Sequence, residues 1–431
     1  MTPTPDTPDT PDTPAAPTGP TGSPGSGPTG SGFAPDFGFD APFDRTGTGS
    51  SKWARTDGVP GVIPMGLADM DLPGPPAIAE ALRRRAGHRA YGYTVCDPAG
   101  RSLVADWYRA RHGVKVDPDW VLLLPCGPRT ALRVLLETVV RGAERPDAGG
   151  TAAPVLFPTP EWGGFAQLCR AARIGYRELP LAAGPDGPRL PPGPFPGPVA
   201  AVLLSSPHNP SARVWPADQL RALAGRAAEA GALLVSDEVH GDLTHPGHVH
   251  PVAVTTVDPA HRHLAVTLNS VGKTFNCSGI PSSFALVPDP ALRGRFADAL
   301  AGYGLWEGGL LEQTVQWAAL CEGGPWLDAL LAHLAAARTR LTGVLGPAVR
   351  SAPQASYLLW LDAAALGLPV PAARRALLER CGLEASDGTD FGPGGHGSLR
   401  LNYALPGPVL DVVLARLALL GRPGAAGAGL R

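Results

Sequence analysis

The 431-residue chain predicts an α/β fold: a large domain on a mainly parallel sheet with helices on both faces, joined to a smaller α+β domain. Two observations predict it. Between Val121 and Leu268 short apolar runs alternate with helical stretches, the pattern of strands buried on both faces and linked by crossover helices. Beyond Leu310 the chain reads as helical through Leu345, then opens a second α+β pattern at Ser356 (SYLLWLD). The length also exceeds what one core usually organises.

In chain order, residues 1–32 are dominated by Pro, Thr, Gly, Ser and Asp, with a Thr-Pro-Asp repeat, and carry too little apolar surface to order. Residues 33–85 read as an N-terminal arm and part of the small domain. Their first aromatics lie in Phe33 to Asp44, and a helix with proline at its start is expected over 75–85. The large domain, 86–325, should contain a helix over 101–112, an apolar run at 121–124, a helix over 130–141 and a run at 155–157. A helix over 165–173, a run at 200–204, a helix over 216–230 and runs at 233–235 and 263–268 follow. The small domain resumes at 326–422, and 423–431 is a Gly/Ala tail.

A formal charge of -2 leaves no electrostatic footprint for nucleic acid or an anionic membrane. No apolar run approaches the ~20 residues that span a bilayer, and the N-terminus lacks a basic start and a hydrophobic segment, so a cytoplasmic protein is expected. The six cysteines are scattered without a CxxC pair, so neither zinc nor a redox dithiol is expected.

Of 36 basic residues only three are lysine: Lys52, Lys115 and Lys273. A lysine in an arginine-rich chain raises the question of what arginine could not do. Imine formation needs a primary amine able to lose its proton, which a guanidinium with a pKa above ~12 cannot supply.

Three segments follow apolar runs and place polar groups where strands should leave the sheet: Ser205 to Pro210 (SSPHNP), Ser236 to His240 (SDEVH) and Asn269 to Asn276 (NSVGKTFN). In open α/β sheets that edge is where ligands bind. Together these residues meet the needs of one cofactor, pyridoxal 5'-phosphate (PLP): an amine, a carboxylate for the pyridine nitrogen, a donor to the phenolate oxygen, a phosphate cup and a stacking ring. Lys273 supplies the amine, Asp237 the carboxylate and Asn209 the donor. The turn Gly127-Pro128-Arg129-Thr130, opening a helix whose amino end favours anions, would form the phosphate cup with Ser270. Trp162, in PTPEW, would stack on the ring. Taken singly each has a plain structural reading: a turn for Asn-Pro, a cap for Asp237, packing for Trp162.

At these motifs the chain resembles the aminotransferase class I/II family, and within it the carbon–sulfur β-lyases similar to cystathionine β-lyase. The resemblance runs from about Phe37 to Leu420 and rests on PMGLADMD (from Pro64 to Asp71), Tyr91-Gly92-Tyr93-Thr94, PHNP with Arg213-Val214-Trp215, SDEVHGDL, KTFN, Pro325-Trp326-Leu327 and Arg400-Leu401-Asn402. It implies the PLP-dependent transferase fold (fold type I) with a seven-stranded sheet. It further implies that Lys273 binds PLP, Asp237 pairs with the pyridine nitrogen and Asn209 contacts the phenolate oxygen. Tyr93 would reach the phosphate of a neighbouring subunit in a homodimer with shared active sites, and Arg400 would clamp the α-carboxylate of a small amino-acid substrate, for which its fork is suited. His240 stands where aminotransferases of this fold carry tyrosine, and the β-lyase branch shows this Asp-Glu-x-His pattern. The resemblance therefore points to an α,β-eliminating lyase, with an aminotransferase as the rival and a non-catalytic regulator as a remoter one. Gly66 in place of Trp, Gly272 in place of Ser, Ala212 in place of Gly and Trp162 in place of Tyr depart from the family pattern, and the first and last would reshape the pocket.

Overall fold

The computed structural model describes residues 35–56, 59–141, 153–184, 186–306 and 308–420. The expected tails, 1–32 and 423–431, lie outside them. The strands are β1 (Ile63–Pro64), β2 (Val121–Leu124), β3 (Val155–Thr159), β4 (Tyr176–Pro180), β5 (Ala201–Ser205), β6 (Leu233–Asp237), β7 (Ala265–Ser270), β8 (Ser283–Leu286), β9 (Leu358–Asp362), β10 (Leu383–Glu384), β11 (Ser386–Asp387) and β12 (Ser398–Asn402). The helices are α1 (Pro76–Gly87), α2 (Ala99–His112), α3 (Pro128–Arg141), α4 (Gly164–Ala172), α5 (Ala217–Glu229), α6 (Ala253–Thr256), α7 (Val271–Thr274), α8 (Pro290–Gly302), α9 (Leu310–Glu322), α10 (Gly324–Leu345), α11 (Ala373–Cys381) and α12 (Gly407–Ala418).

Seven strands form the central sheet in the order β2-β8-β7-β6-β5-β3-β4, parallel except where β8 runs against both its neighbours. Two apolar clusters, one on each face, explain why β2, β3 and β5 are buried along their whole length and read as unbroken apolar runs. A three-stranded antiparallel sheet, β11-β12-β9, and the two-stranded β1-β10 pair complete the strands. All of it from Pro35 onward belongs to one compact unit.

Two expectations are corrected. The strand expected over 263–268 begins later, because Asp258 caps Ala260 N–H and starts a 3-10 turn, Pro259–Leu264; β7 then runs from Ala265 to Ser270. The helical stretch from Leu310 to Leu345 breaks at Gly323, between α9 and α10. A Cβ there would lie 2.4 Å from both the Ala319 carbonyl oxygen and Phe275 Cε1, so only glycine lets the chain turn against Phe275.

For function, what counts is where the parallel strands stop. Ser205 pairs in register with Asp237, and β7 ends at Ser270 beside them, so the polar residues closing β5, β6 and β7 share one edge. Lys273 follows within α7, whose start is capped by Ser270 Oγ accepting from Gly272 N–H at 3.0 Å.

The other two lysines have different environments. Lys115 is exposed. Lys52 is fully buried and donates to Asp71 at 2.8 Å and to the Asp69 carbonyl at 2.9 Å. Removing one partner of a buried ion pair leaves the other charge stranded. Lys52→Met is expected to lower unfolding stability by about 3 kcal/mol, read as a shifted denaturant midpoint; an unchanged midpoint would show that Arg45, 3.2 Å from Asp71, suffices alone.

Candidate active site

At the carboxyl edge of β5, β6 and β7 lies a cavity of about 370 Å³. Lys273, Asp237, Asn209, His240 and Ser270 line it, and so do Trp162, Gly127, Pro128, Arg129 and Arg400. Ten residues singled out in the sequence thus meet in one space, although they are drawn from positions 127 to 400. Thr130 is exposed and does not line it. Tyr93, 96% exposed, does not line the cavity either.

The charged groups here are held by neutral partners. Lys273 Nζ donates to the Ala68 carbonyl at 2.6 Å. Burial pushes its pKa down and Arg400 adds to this, while Asp69 and Asp237 pull the other way. Asp237 is pushed up to about 6 by burial, against a hydrogen bond from Val239 N–H at 3.3 Å. Arg400 donates from Nη1 to Asn209 Oδ1 at 2.8 Å and from Nη2 to the Gly66 carbonyl at 2.6 Å. Its guanidinium lies 4.8 Å from the centre of the Phe391 ring, and burial lowers its pKa to about 10. Arg400 Nε is buried and has no hydrogen-bond partner among the described residues.

His240 is buried, with Nδ1 2.9 Å from Ser356 Oγ and its ring edge-on to Tyr357 at 5.5 Å. Burial, reinforced by Lys273 and Arg400, brings its pKa down to about 3, so the ring is neutral at physiological pH. Ser270 Oγ donates to the Ser282 carbonyl at 2.6 Å. Trp162 is edge-on to Phe165 at 5.3 Å and packs over Gly164, where a Cβ would sit 2.3 Å from the indole. Arg129 lies 5.9 Å from the indole and binds Gln167 at 3.0 Å.

The segment carrying PMGLADMD reaches the same cavity through Leu67 and Ala68. Its main-chain carbonyls are bonded one after another: Met65 by Asn402 N–H, Gly66 by Arg400 and Ser386, Leu67 and Asp69 by Asn402 Nδ2, Ala68 by Lys273 and Tyr357, and Met70 by Arg45 and Asn276. This explains why KTFN and RLN matter beyond Lys273 and Arg400: Asn276 and Asn402 fix the strip on which those two side chains rest.

Sequence reasoning missed several lining residues. Ser205, whose Oγ accepts from Asn209 N–H at 2.9 Å, and Ser278, just past the KTFN motif, both reach the cavity. Glu161, beside Trp162, is buried and bonded to Ser205 through both backbone and side chain. Ser205 and Glu161 lie within the SSPHNP and PTPEW segments but were given no role there, and Ser278 lies outside every motif. A second cavity, of about 520 Å³, shares Leu67, Arg129, Trp162 and Arg400 with the first and continues past Arg55, Arg170, Glu178 and Asp390.

The donor set fits PLP. Lys273 offers a half-buried amine, Asp237 a half-buried carboxylate in the same cavity, and the amino-terminal end of α3 enters it through Gly127, Pro128 and Arg129 beside the hydroxyls of Ser270 and Ser278. A mainly parallel sheet with an amine and a carboxylate at its carboxyl edge defines the class, a PLP-dependent enzyme of the aminotransferase fold. The chain belongs to the aminotransferase class I and II family, whose model matches residues 60–417.

Among curated relatives it is 34% identical to "Cystathionine beta-lyase PatB" of Bacillus subtilis (strain 168), over 84% of this chain and 94% of that one. It is 27% identical to "Protein MalY" of Escherichia coli (strain K12), over 88% and 98%. Among solved structures, OvoB matches with a TM-score of 0.79 at 28% identity, covering 90% of this chain and 99% of that one. Cystalysin from Treponema denticola, which contains PLP, matches with a TM-score of 0.78 at 24% identity over 89% and 98%, a likeness of fold.

Burial pushes the Glu161 carboxyl up to about 8, although hydrogen bonds from Ser205 and Trp162 oppose the shift. A raised carboxyl means the folded state holds a proton the unfolded chain has lost, so this contribution is complete below the ordinary carboxyl range and disappears as pH rises to about 8. Thermal melts between pH 5 and 8 should therefore show Glu161→Gln gaining on the parent protein as pH rises. Parallel curves would mean Glu161 is ionised when folded.

Proposed function

We propose that the protein is a PLP-dependent carbon–sulfur β-lyase, which converts an S-substituted cysteine and water to a thiol, pyruvate and ammonia. The observation that carries it is the Lys273 amine, with its pKa lowered by desolvation, opening on the same cavity as Asp237 and Arg400. The likeness to PatB and the histidine at position 240 support elimination rather than transamination.

In this reading Lys273 would hold the cofactor, Asp237 would keep the pyridine nitrogen protonated, and Asn209 would donate to the phenolate oxygen. Trp162 would cover the ring, while Gly127, Pro128, Arg129, Thr130, Ser270 and the neighbouring subunit's tyrosine at position 93 would bind the phosphate. Bound PLP supplies the sink for electrons released at the substrate Cα. Arg400 receives the α-carboxylate, its free Nε and forked nitrogens matching two carboxylate oxygens. That contact orients the Cα–H bond towards Lys273 Nζ, which takes the proton. The depressed pKa favours the unprotonated amine that this step needs. His240, neutral and pinned by Ser356, supports the phenolate side without adding a cation. The sulfur substituent has room in the larger adjoining cavity. A division into an arm (33–85), a large domain (86–325) and a small domain (326–422), a homodimer and a cytoplasmic location belong to the same reading. Among the described residues no helix is long and apolar enough to cross a membrane.

Purified protein given cystathionine or an S-alkyl cysteine, with no keto acid, should release pyruvate and thiol in equal amounts. Turnover only after a keto acid is added would make it an aminotransferase instead. Lys273→Ala should lose roughly a hundred-fold or more in kcat, as expected when a catalytic base is removed.

The shared site makes a separate prediction. Sedimentation should give a dimer, and Tyr93→Phe should release PLP roughly ten-fold more readily on dilution, the loss of one hydrogen bond to a charged group. A fully active monomer would refute it.

A further inference from the structure

Arg400 is buried, yet none of its hydrogen bonds goes to a carboxylate: they reach Asn209, the Gly66 carbonyl and, at 3.3 Å, Ser386 Oγ. A long cationic side chain on neutral acceptors keeps its direction only if those acceptors are themselves fixed. Gly66 is fixed from both sides. Ser386 Oγ donates to its carbonyl at 2.8 Å, and its N–H donates to Glu384 Oε2 at 2.9 Å. Glu384 and Ser386 lie two residues apart on the segment that pairs with β1 on one side and with β12 at Arg400 on the other.

Glu384 is 3% exposed, and the second oxygen of its carboxylate is buried without a hydrogen bond among the described residues, facing Arg374 at 3.5 Å and Arg55 at 3.7 Å. Glycine is what admits this arrangement. A Cβ at position 66 would lie 2.7 and 2.9 Å from the two Glu384 oxygens, far inside contact distance. The departure from the family's tryptophan at position 66 and the buried Glu384 are therefore two halves of one device.

We infer that Glu384 is a positioning residue for substrate recognition: by holding the Gly66 N–H it sets the Gly66 carbonyl on which Arg400 rests, and so aims Arg400 at the α-carboxylate. This rests on the reading that Arg400 binds that carboxylate. The route is a hydrogen bond, so an amide of the same shape should serve in its place.

The test compares two ligands of the holoenzyme that lack a leaving group: L-alanine, which carries a carboxylate, and ethylamine, which does not. The ratio of their affinities, measured by calorimetry, isolates the carboxylate contact. Glu384→Ala should reduce that ratio roughly ten-fold, the loss of one charge-assisted hydrogen bond, and in turnover the loss should fall on KM more than on kcat. Glu384→Gln should restore the ratio. An unchanged ratio in Glu384→Ala overturns the inference, as does a Gln variant as impaired as the Ala variant. Should Glu384→Ala not fold, Gly66→Ala displaces the carboxylate by its Cβ and must produce the same loss. Arg400→Lys separates the two claims. A lowered ratio there, with none in Glu384→Ala, removes only the role of Glu384, whereas an unchanged ratio in Arg400→Lys removes the carboxylate reading of Arg400 itself.

Discussion

A buried lysine that is to act as a base must not be given a carboxylate of its own. Direct pairing would hold Lys273 as an ammonium and make its proton costly to remove. Here Lys273 Nζ rests on a main-chain carbonyl, Asp237 accepts from a main-chain N–H, and Arg400 rests on an amide oxygen and a carbonyl. Three ionisable groups share one cavity with neutral partners between them. Each keeps hydrogen-bonding capacity for a ligand, and each is shifted by burial in the direction that favours its neutral form.

Much of the rest of the fold serves to hold the neutral partners still. The carbonyls from Met65 to Met70 form a strip fixed by Asn402, Arg400, Ser386, Tyr357, Arg45 and Asn276. Lys52 and Asp71 anchor the end of that strip with a buried ion pair. Asp242, bonded to Trp107, His112 and Thr274, fixes the residue after Lys273 from the other side. The burial that depresses the Lys273 pKa thus depends on side chains spread along the chain, and so do its geometry and the reach of Arg400.

The central sheet was legible because strands buried on both faces cannot alternate, and β2, β5 and β6 announce themselves as apolar runs. β4 and β8 were not. β4 is a half-buried edge strand carrying Arg and Glu, and β8 is a short run whose antiparallel direction only its neighbours determine. Lys273, Asp237, Asn209 and Arg400 were legible because each sits in a motif whose residue types answer a chemical need. Glu384 and Ser278 were silent, since isolated polar residues acquire a role only from what is folded against them.

By itself, the sequence determined the alternation of elements, the polar edge at which β5, β6 and β7 stop, and the presence of an amine that arginine could not replace. Chain-local patterning suffices for these, because they depend on side-chain period and on the chemistry of single residues. The tertiary structure alone decided that Lys273 would face a carbonyl rather than a carboxylate, that Gly66 would yield its place to Glu384, and that Arg400 would keep a free nitrogen. Those are relations between residues hundreds of positions apart, and only packing sets the distances on which hydrogen bonding and desolvation depend.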